Sequence, residues 1–126
     1  MALTPPMDQQ VKADWVAALR SGKYEQTTGT MYRPAEEILS MGQKRPAGYC
    51  CLGVLASILG TTDERLATLG YLPDEVIVKA GLGDYLDPRI THHREGEPAA
   101  EVPLSQLNDA FRLGFNEIAD IIEAQL

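Results

Sequence analysis

Two thiols stand side by side at Cys50 and Cys51, at the entrance to Leu52-Gly53-Val54-Leu55-Ala56-Ser57-Ile58-Leu59, the most apolar run of the chain. A thiol at a helix N-terminus is placed for nucleophilic chemistry, because the helix dipole and the unpaired N–H groups of the first turn stabilise the thiolate. Cys50 fits that position, whereas Cys51 shares a helical face with Leu55, Ile58 and Leu59 and points into the core. Such a nucleophile needs a base, and the two histidines of the chain are the neighbours His92 and His93, in the strand-like run Arg89-Ile90-Thr91-His92-His93. The competing reading is structural: a free cysteine is among the most buried residue types and packs as a small hydrophobe.

A cysteine opening a helix, followed by a histidine on a strand, resembles the arrangement of the NlpC/P60 and papain-like thiol hydrolases. That resemblance implies a Cys-His hydrolase of an amide or ester, with Cys50 as nucleophile and His92 as base. Those peptidases usually carry Asp-Cys-Ser-Gly where this chain has Tyr49-Cys50-Cys51-Leu52, so Cys50 is the one residue of the motif that carries over. No polar third residue after the histidines offers itself to orient the base. The alternative to hydrolysis is binding, with no catalytic residue, and the balance of the sequence leans that way.

Metal and cofactor chemistry are not expected. Side chains of successive helical residues diverge by ~100°, so Cys50 and Cys51 cannot face one tetrahedral ion together with His92 and His93. Neither a Gly-x-x-x-x-Gly-Lys-Ser/Thr nor a Gly-x-Gly-x-x-Gly phosphate cradle occurs. The remaining candidate is a patch over residues 20–49, where Arg20, Lys23, Arg33, Lys44 and Arg45 alternate with Tyr24, Tyr32 and Tyr49 on a glycine-bearing segment. Tyrosine rings and arginine forks can stack a planar group and hold an anion, which marks Arg20, Tyr24, Tyr32, Arg33 and Tyr49 as binding residues. Glu25, Glu36 and Glu37 lie in the same stretch, as they do in an ordinary solvated loop.

These residues must be positioned by a single domain spanning residues 1–126, long enough to bury a core without metal or disulfide staples. Apolar residues make up 44% and charged residues 23%, as in a globular protein, and an aromatic share of 6% implies an aliphatic core. The net charge of −7 is uneven, +1 over residues 1–48 and −8 over residues 49–126. An acidic second half repels phosphate backbones and anionic lipid, which argues against non-specific nucleic-acid binding and against a membrane, and suits a basic protein surface. Two adjacent cysteines form no framework of spaced pairs, and no basic leader or ~18-residue apolar span is present. A cytoplasmic protein with reduced thiols is expected.

The pattern predicts a fold of the α+β class, predominantly helical, a compact bundle around a buried central helix at about 50–59 with a small β element. Val11, Trp15, Ala18 and Leu19 recur at helical spacing over Asp8–Ser21, with Gly22 as a stop. Residues 22–48 read as loop and edge strand, with a short strand over Gln26–Arg33 and a turn of helix at Pro34–Met41. Thr61 and Glu64 have the spacing of a capping box for a helix ending at Gly70, and Pro73 with Asp74 and Glu75 opens another over 73–80. Leu82–Val102 reads as a loop or hairpin. Leu104, Leu107 and Phe111 mark a turn of helix, with Asn108-Asp109 as a polar capping pair, before a terminal helix from about 115.

Trp15-x-x-Ala18-Leu19-x-Ser21-Gly22-x-Tyr24, Tyr49-Cys50-Cys51-Leu52-Gly53-Val54-Leu55, Leu72-Pro73-Asp74-Glu75-Val76, Leu107-Asn108-Asp109 and Phe115-x-x-Ile118-Ala119-Asp120-x-Ile122-Glu123, taken in order, resemble a family of small proteins encoded by bacteriophages and prophages. The resemblance spans most of the chain and brings no assigned activity or catalytic residue. It implies an accessory protein of the host cytoplasm that works by binding, masking a host protein to blunt a defence or capturing a small anionic, nucleotide-like signal. A homo-oligomer is compatible with this reading.

Overall fold

In the computed structural model, which describes residues 7–38, 43–69, 72–82, 89–92, 96 and 98–126, Asp8 starts the first helix by accepting the Val11 N–H on its carboxylate at 2.9 Å. This α1 (Gln9–Arg20) buries Trp15, Val16 and Leu19 on one face, as its 3.6-residue spacing requires. The central helix, α2 (Cys51–Ile58), is buried on every side along its first six residues. Around it stand α1, α3 (Asp63–Leu66) and α5 (Leu104–Asp109), while α6 (Phe115–Gln125) packs extensively on α1, and α4 (Asp74–Ala80) also touches α1. Leu55, Leu66, Leu72, Leu104, Leu107, Ile118 and Ile122 are fully buried, each contributing about 1.5–3 kcal/mol through the apolar area it removes from water. The core is mostly aliphatic, as expected, with Trp15 and Phe115 as its aromatic rings among the described residues.

The strands are short. β1 (Glu25–Gln26) pairs in parallel with β5 (Gly48–Tyr49), and β2 (Tyr32–Arg33) pairs antiparallel with the other edge of β5, giving the order β1-β5-β2. β3 (Glu36–Ile38) and β4 (Gln43–Arg45) form one antiparallel pair, β6 (Arg89–His92) and β7 (Ala100–Pro103) another. The fold is thus α+β and predominantly helical, around the central helix the sequence predicts.

Several local expectations are corrected. The single strand over Gln26–Arg33 is two strands, β1 and β2, that flank β5. The turn of helix at Pro34–Met41 is replaced by β3 over the part that is described. The cap of α3 is Thr62, whose hydroxyl accepts the Arg65 N–H at 3.3 Å, because Thr61 is buried and spends its N–H on the Ala56 carbonyl. Pro73 is the cap residue of α4 and not its first helical residue. Gly70, the expected end of α3, lies outside the described residues.

Two of the positive-φ positions bear on the packing. Gly81 closes α4 at φ 70°, and a side chain there would meet the backbone nitrogen of Asp8 at 2.9 Å, where Asp8 donates to the Ala80 carbonyl. Arg112 ends α5 in the same left-handed region at φ 54°, so that the Leu113 N–H reaches back to the Leu107 carbonyl at 2.8 Å. Among the described residues it is the one non-glycine with positive φ. Replacing this exposed arginine, Arg112→Gly, is expected to stabilise the protein by about 0.5–1 kcal/mol, the relief of side-chain crowding exceeding the entropy glycine adds to the unfolded chain. A higher urea midpoint at unchanged slope would register it.

Candidate functional site

Both thiols are buried at the start of α2. Cys50 is the N-cap of α2, and its sulfur accepts the Gly53 N–H at 3.3 Å while its own N–H donates to the Met31 carbonyl at 3.2 Å. It is 4% exposed. Cys51 is 0% exposed, with its sulfur 3.9 Å from the Leu104 carbonyl oxygen, and its own carbonyl accepts the Trp15 indole N–H at 2.9 Å. The hydrogen bond described for the Cys50 sulfur is to its own helix. His92 sits on β6 with its ring stacked on Phe111, centroids 5.1 Å apart, and β6 is pinned to the end of α6 by the Gln125 amide, which both accepts from Thr91 N–H and donates to Thr91 O at 2.7 Å. His93 lies outside the described residues. Among the described residues, no group of three or more His, Cys, Asp or Glu is arranged to hold a metal ion.

The three tyrosines of the patch converge. Tyr24, following α1, meets the Tyr49 ring edge-on, with centroids 5.1 Å apart and planes at 84°. Tyr32, opposite Tyr49 in the sheet register, lies at 5.2 Å and 55°. Edge and tilted geometries are the favourable ones for aromatic quadrupoles, at about 0.5–1.5 kcal/mol per pair beyond the area buried. All three rings are half-buried, so the strip Tyr24-Tyr49-Tyr32 keeps an accessible side. At its end the Tyr49 hydroxyl donates to Asp63 Oδ1 at 2.9 Å.

Burial, reinforced by the hydrogen bond to Asp63, pushes the Tyr49 phenol above its ordinary value of 10.0. A phenol raised in the folded state favours the neutral form there, so its contribution is complete below the unfolded value and is lost as pH climbs past it. Thermal stability is expected to fall above about pH 10, with Tyr49→Phe flattening that decline. Melting curves over alkaline pH on both proteins check this.

The arginines do not join the strip. Side chains alternate across a strand, so Arg33, paired with Gly48, faces away from Tyr32 and Tyr49. It lies across Gly48, where a β-carbon would stand 3.0 Å from Arg33 Nη2, and donates to the Pro46 carbonyl at 2.9 Å and to the Thr27 hydroxyl at 3.3 Å. Arg20 ties α1 to α6 by donating to Asp120 and Glu123, and these carboxylates hold its guanidinium above the ordinary value. Arg20 and Tyr24 do share the wall of a groove of about 390 Å³ at the start of α6, together with Glu25 and Glu117. The side chains of Lys44 and Arg45 are not described.

What braces the strip was not expected. Asn108, 0% exposed, donates to the Thr27 carbonyl at 2.7 Å and to Asp109 Oδ1 at 2.8 Å, and accepts from Gln26 Nε2 at 2.8 Å. Gln26, the register partner of Tyr49, donates also to the Leu113 carbonyl at 2.7 Å, and Asp109 accepts the Gly29 N–H at 3.1 Å. Asn108-Asp109 is therefore a clasp between the β1 loop and the end of α5, in place of the predicted helix cap. The sequence carried one signal of it: Leu104, Leu107, Asn108 and Phe111 follow i, i+3, i+4, i+7, which puts an amide in a core position.

A helical α+β domain with buried thiols and a tyrosine strip on a braced three-stranded sheet is the class of protein that fold and geometry define. The chain belongs to the family described as a domain of unknown function, DUF8296, whose model matches residues 7–126. No curated protein and no solved structure matches it. Among the described residues, no helix is long and apolar enough to cross a membrane.

Proposed function

We propose that the protein acts by binding, as a phage-encoded accessory protein that engages a host protein in the host cytoplasm and blunts a bacterial defence. The observation that supports this reading is the tyrosine strip: three half-buried rings, Tyr32 and Tyr49 from neighbouring strands and Tyr24 from the segment ahead of β1, beside a fully buried amide clasp. Tyrosine is enriched at protein contact surfaces because it offers a large rigid area at low entropic cost. Capture of a small anionic ligand is the other form of binding, drawing on the groove shared by Arg20 and Tyr24. Against it, Arg20 already carries two carboxylates, and Glu25 and Glu117 line the same groove.

Native mass spectrometry of the protein isolated from a bacterial host tests this reading and also reports subunit count. The expected species is a complex with a host protein, lost in Tyr32→Ser. A small added mass that leaves on denaturation transfers the reading to ligand capture, and a bare mass overturns both.

A thiol hydrolase built on Cys50 and His92 requires a reachable thiol. At 4% exposure Cys50 is expected to resist iodoacetamide in the native protein and to react only on unfolding. Rapid native alkylation, read by intact mass, would restore the hydrolase.

A further inference from the structure

The described arginines around the tyrosine strip are engaged elsewhere, and a carboxylate at its end is in no ion pair among the described residues. Arg33 faces the other side of its sheet, Arg20 is held by Asp120 and Glu123, and Arg65, the cation of α3, is paired with Glu75. Asp63 is exposed at the end of the strip and receives the Tyr49 hydroxyl on one oxygen. It forms no ion pair among the described residues. A planar cation suits such a surface, because a guanidinium can stack on tyrosine faces and present its N–H fork to a carboxylate, which a lysine ammonium does less well. The net charge of −7 steers a basic partner towards the molecule.

Resting on the binding reading above, we infer that the tyrosine strip is the docking site for an arginine-bearing segment of a partner protein, its guanidinium stacked on the rings and its charge taken up by Asp63. Asp63 then has two tasks, orienting the Tyr49 hydroxyl through one oxygen and receiving the guanidinium through the other.

The test is a calorimetric titration of the full chain with an Arg-Gly repeat peptide and with the same peptide carrying citrulline for arginine, which keeps the shape and removes the charge. The arginine peptide is expected to bind, and the citrulline peptide to bind at least about tenfold more weakly. Asp63→Asn, which keeps an acceptor for Tyr49, and Tyr24→Leu, which keeps apolar volume, are each expected to weaken binding about tenfold. Asp14→Asn, the same change of charge on the exposed face of α1, is expected to stay within about twofold, since it acts only through the long-range field. Equal losses in Asp14→Asn and Asp63→Asn, equal binding of the citrulline peptide, or no binding of the arginine peptide each overturn the inference. If a host protein is retained by the wild type and lost in Tyr24→Leu while the arginine peptide fails, the binding reading stands and the partner chemistry is wrong; if neither binds, both fall.

Discussion

Gly53→Ala is expected to cost about 3 kcal/mol or more, enough to unfold much of the protein at physiological temperature. A β-carbon at this position of α2 would stand 2.1 Å from the Met31 carbonyl oxygen, with the carbonyl carbon at 3.1 Å. The obstacle is backbone and cannot swing aside as a side chain would. That carbonyl also accepts the Cys50 N–H at the start of the helix, so moving it breaks the junction of α2 with the segment leading into β2. The run Tyr49-Cys50-Cys51-Leu52-Gly53 thus has an explanation without catalysis: a ring for the strip, a thiol that caps the helix, a buried thiol whose backbone receives Trp15, and a glycine that admits Met31. Urea unfolding of Gly53→Ala against Gly53→Ser and the wild type measures the effect. Wild-type stability in both variants would remove this packing argument.

Asn108→Leu comes second, with an expected loss of about 2–4 kcal/mol. Leucine keeps the branched shape and is bulkier, but it leaves the buried Thr27 carbonyl without its Asn108 donor and deprives the half-buried Gln26 of one acceptor. The damage extends to the binding surface, because Gln26 is the register partner of Tyr49 and the Thr27 N–H donates to the Tyr49 carbonyl at 2.9 Å. Near-ultraviolet circular dichroism from the tyrosines is therefore expected to weaken in the residual folded protein, alongside the lower urea midpoint. A variant that loses stability with an unchanged aromatic signal would show that the clasp holds the core but not the strip.

The helices were legible because each carries its own period and punctuation. Val11, Trp15 and Leu19 mark the buried side of α1, and the all-apolar run from Cys50 declares a helix buried on all sides. The cap of α3 slipped by one residue because two threonines stand together, and only packing against Ala56 decides which of them is free to cap. The strands were not legible: a two-residue strand contains no period, and β1, β2 and β5 exist because separate segments find one another. The same limit governs the site. Tyr24, Tyr32 and Tyr49 could be grouped from the sequence as aromatic residues in one glycine-bearing stretch. That Arg33 turns away depends on its pairing with Gly48, which no local pattern encodes. Asp63 reaches Tyr49 from the other end of α2, a contact of tertiary structure alone.

The central claim, that the tyrosine strip is the surface through which the protein meets its partner, is tested most directly by site-specific photo-crosslinking inside bacterial cells. A benzophenone amino acid placed at Tyr32 is expected to yield a discrete crosslinked species containing a host protein, and the same group at Asp14, exposed on α1, is expected to yield none. No adduct from Tyr32, or the same adducts from both positions, would contradict the account.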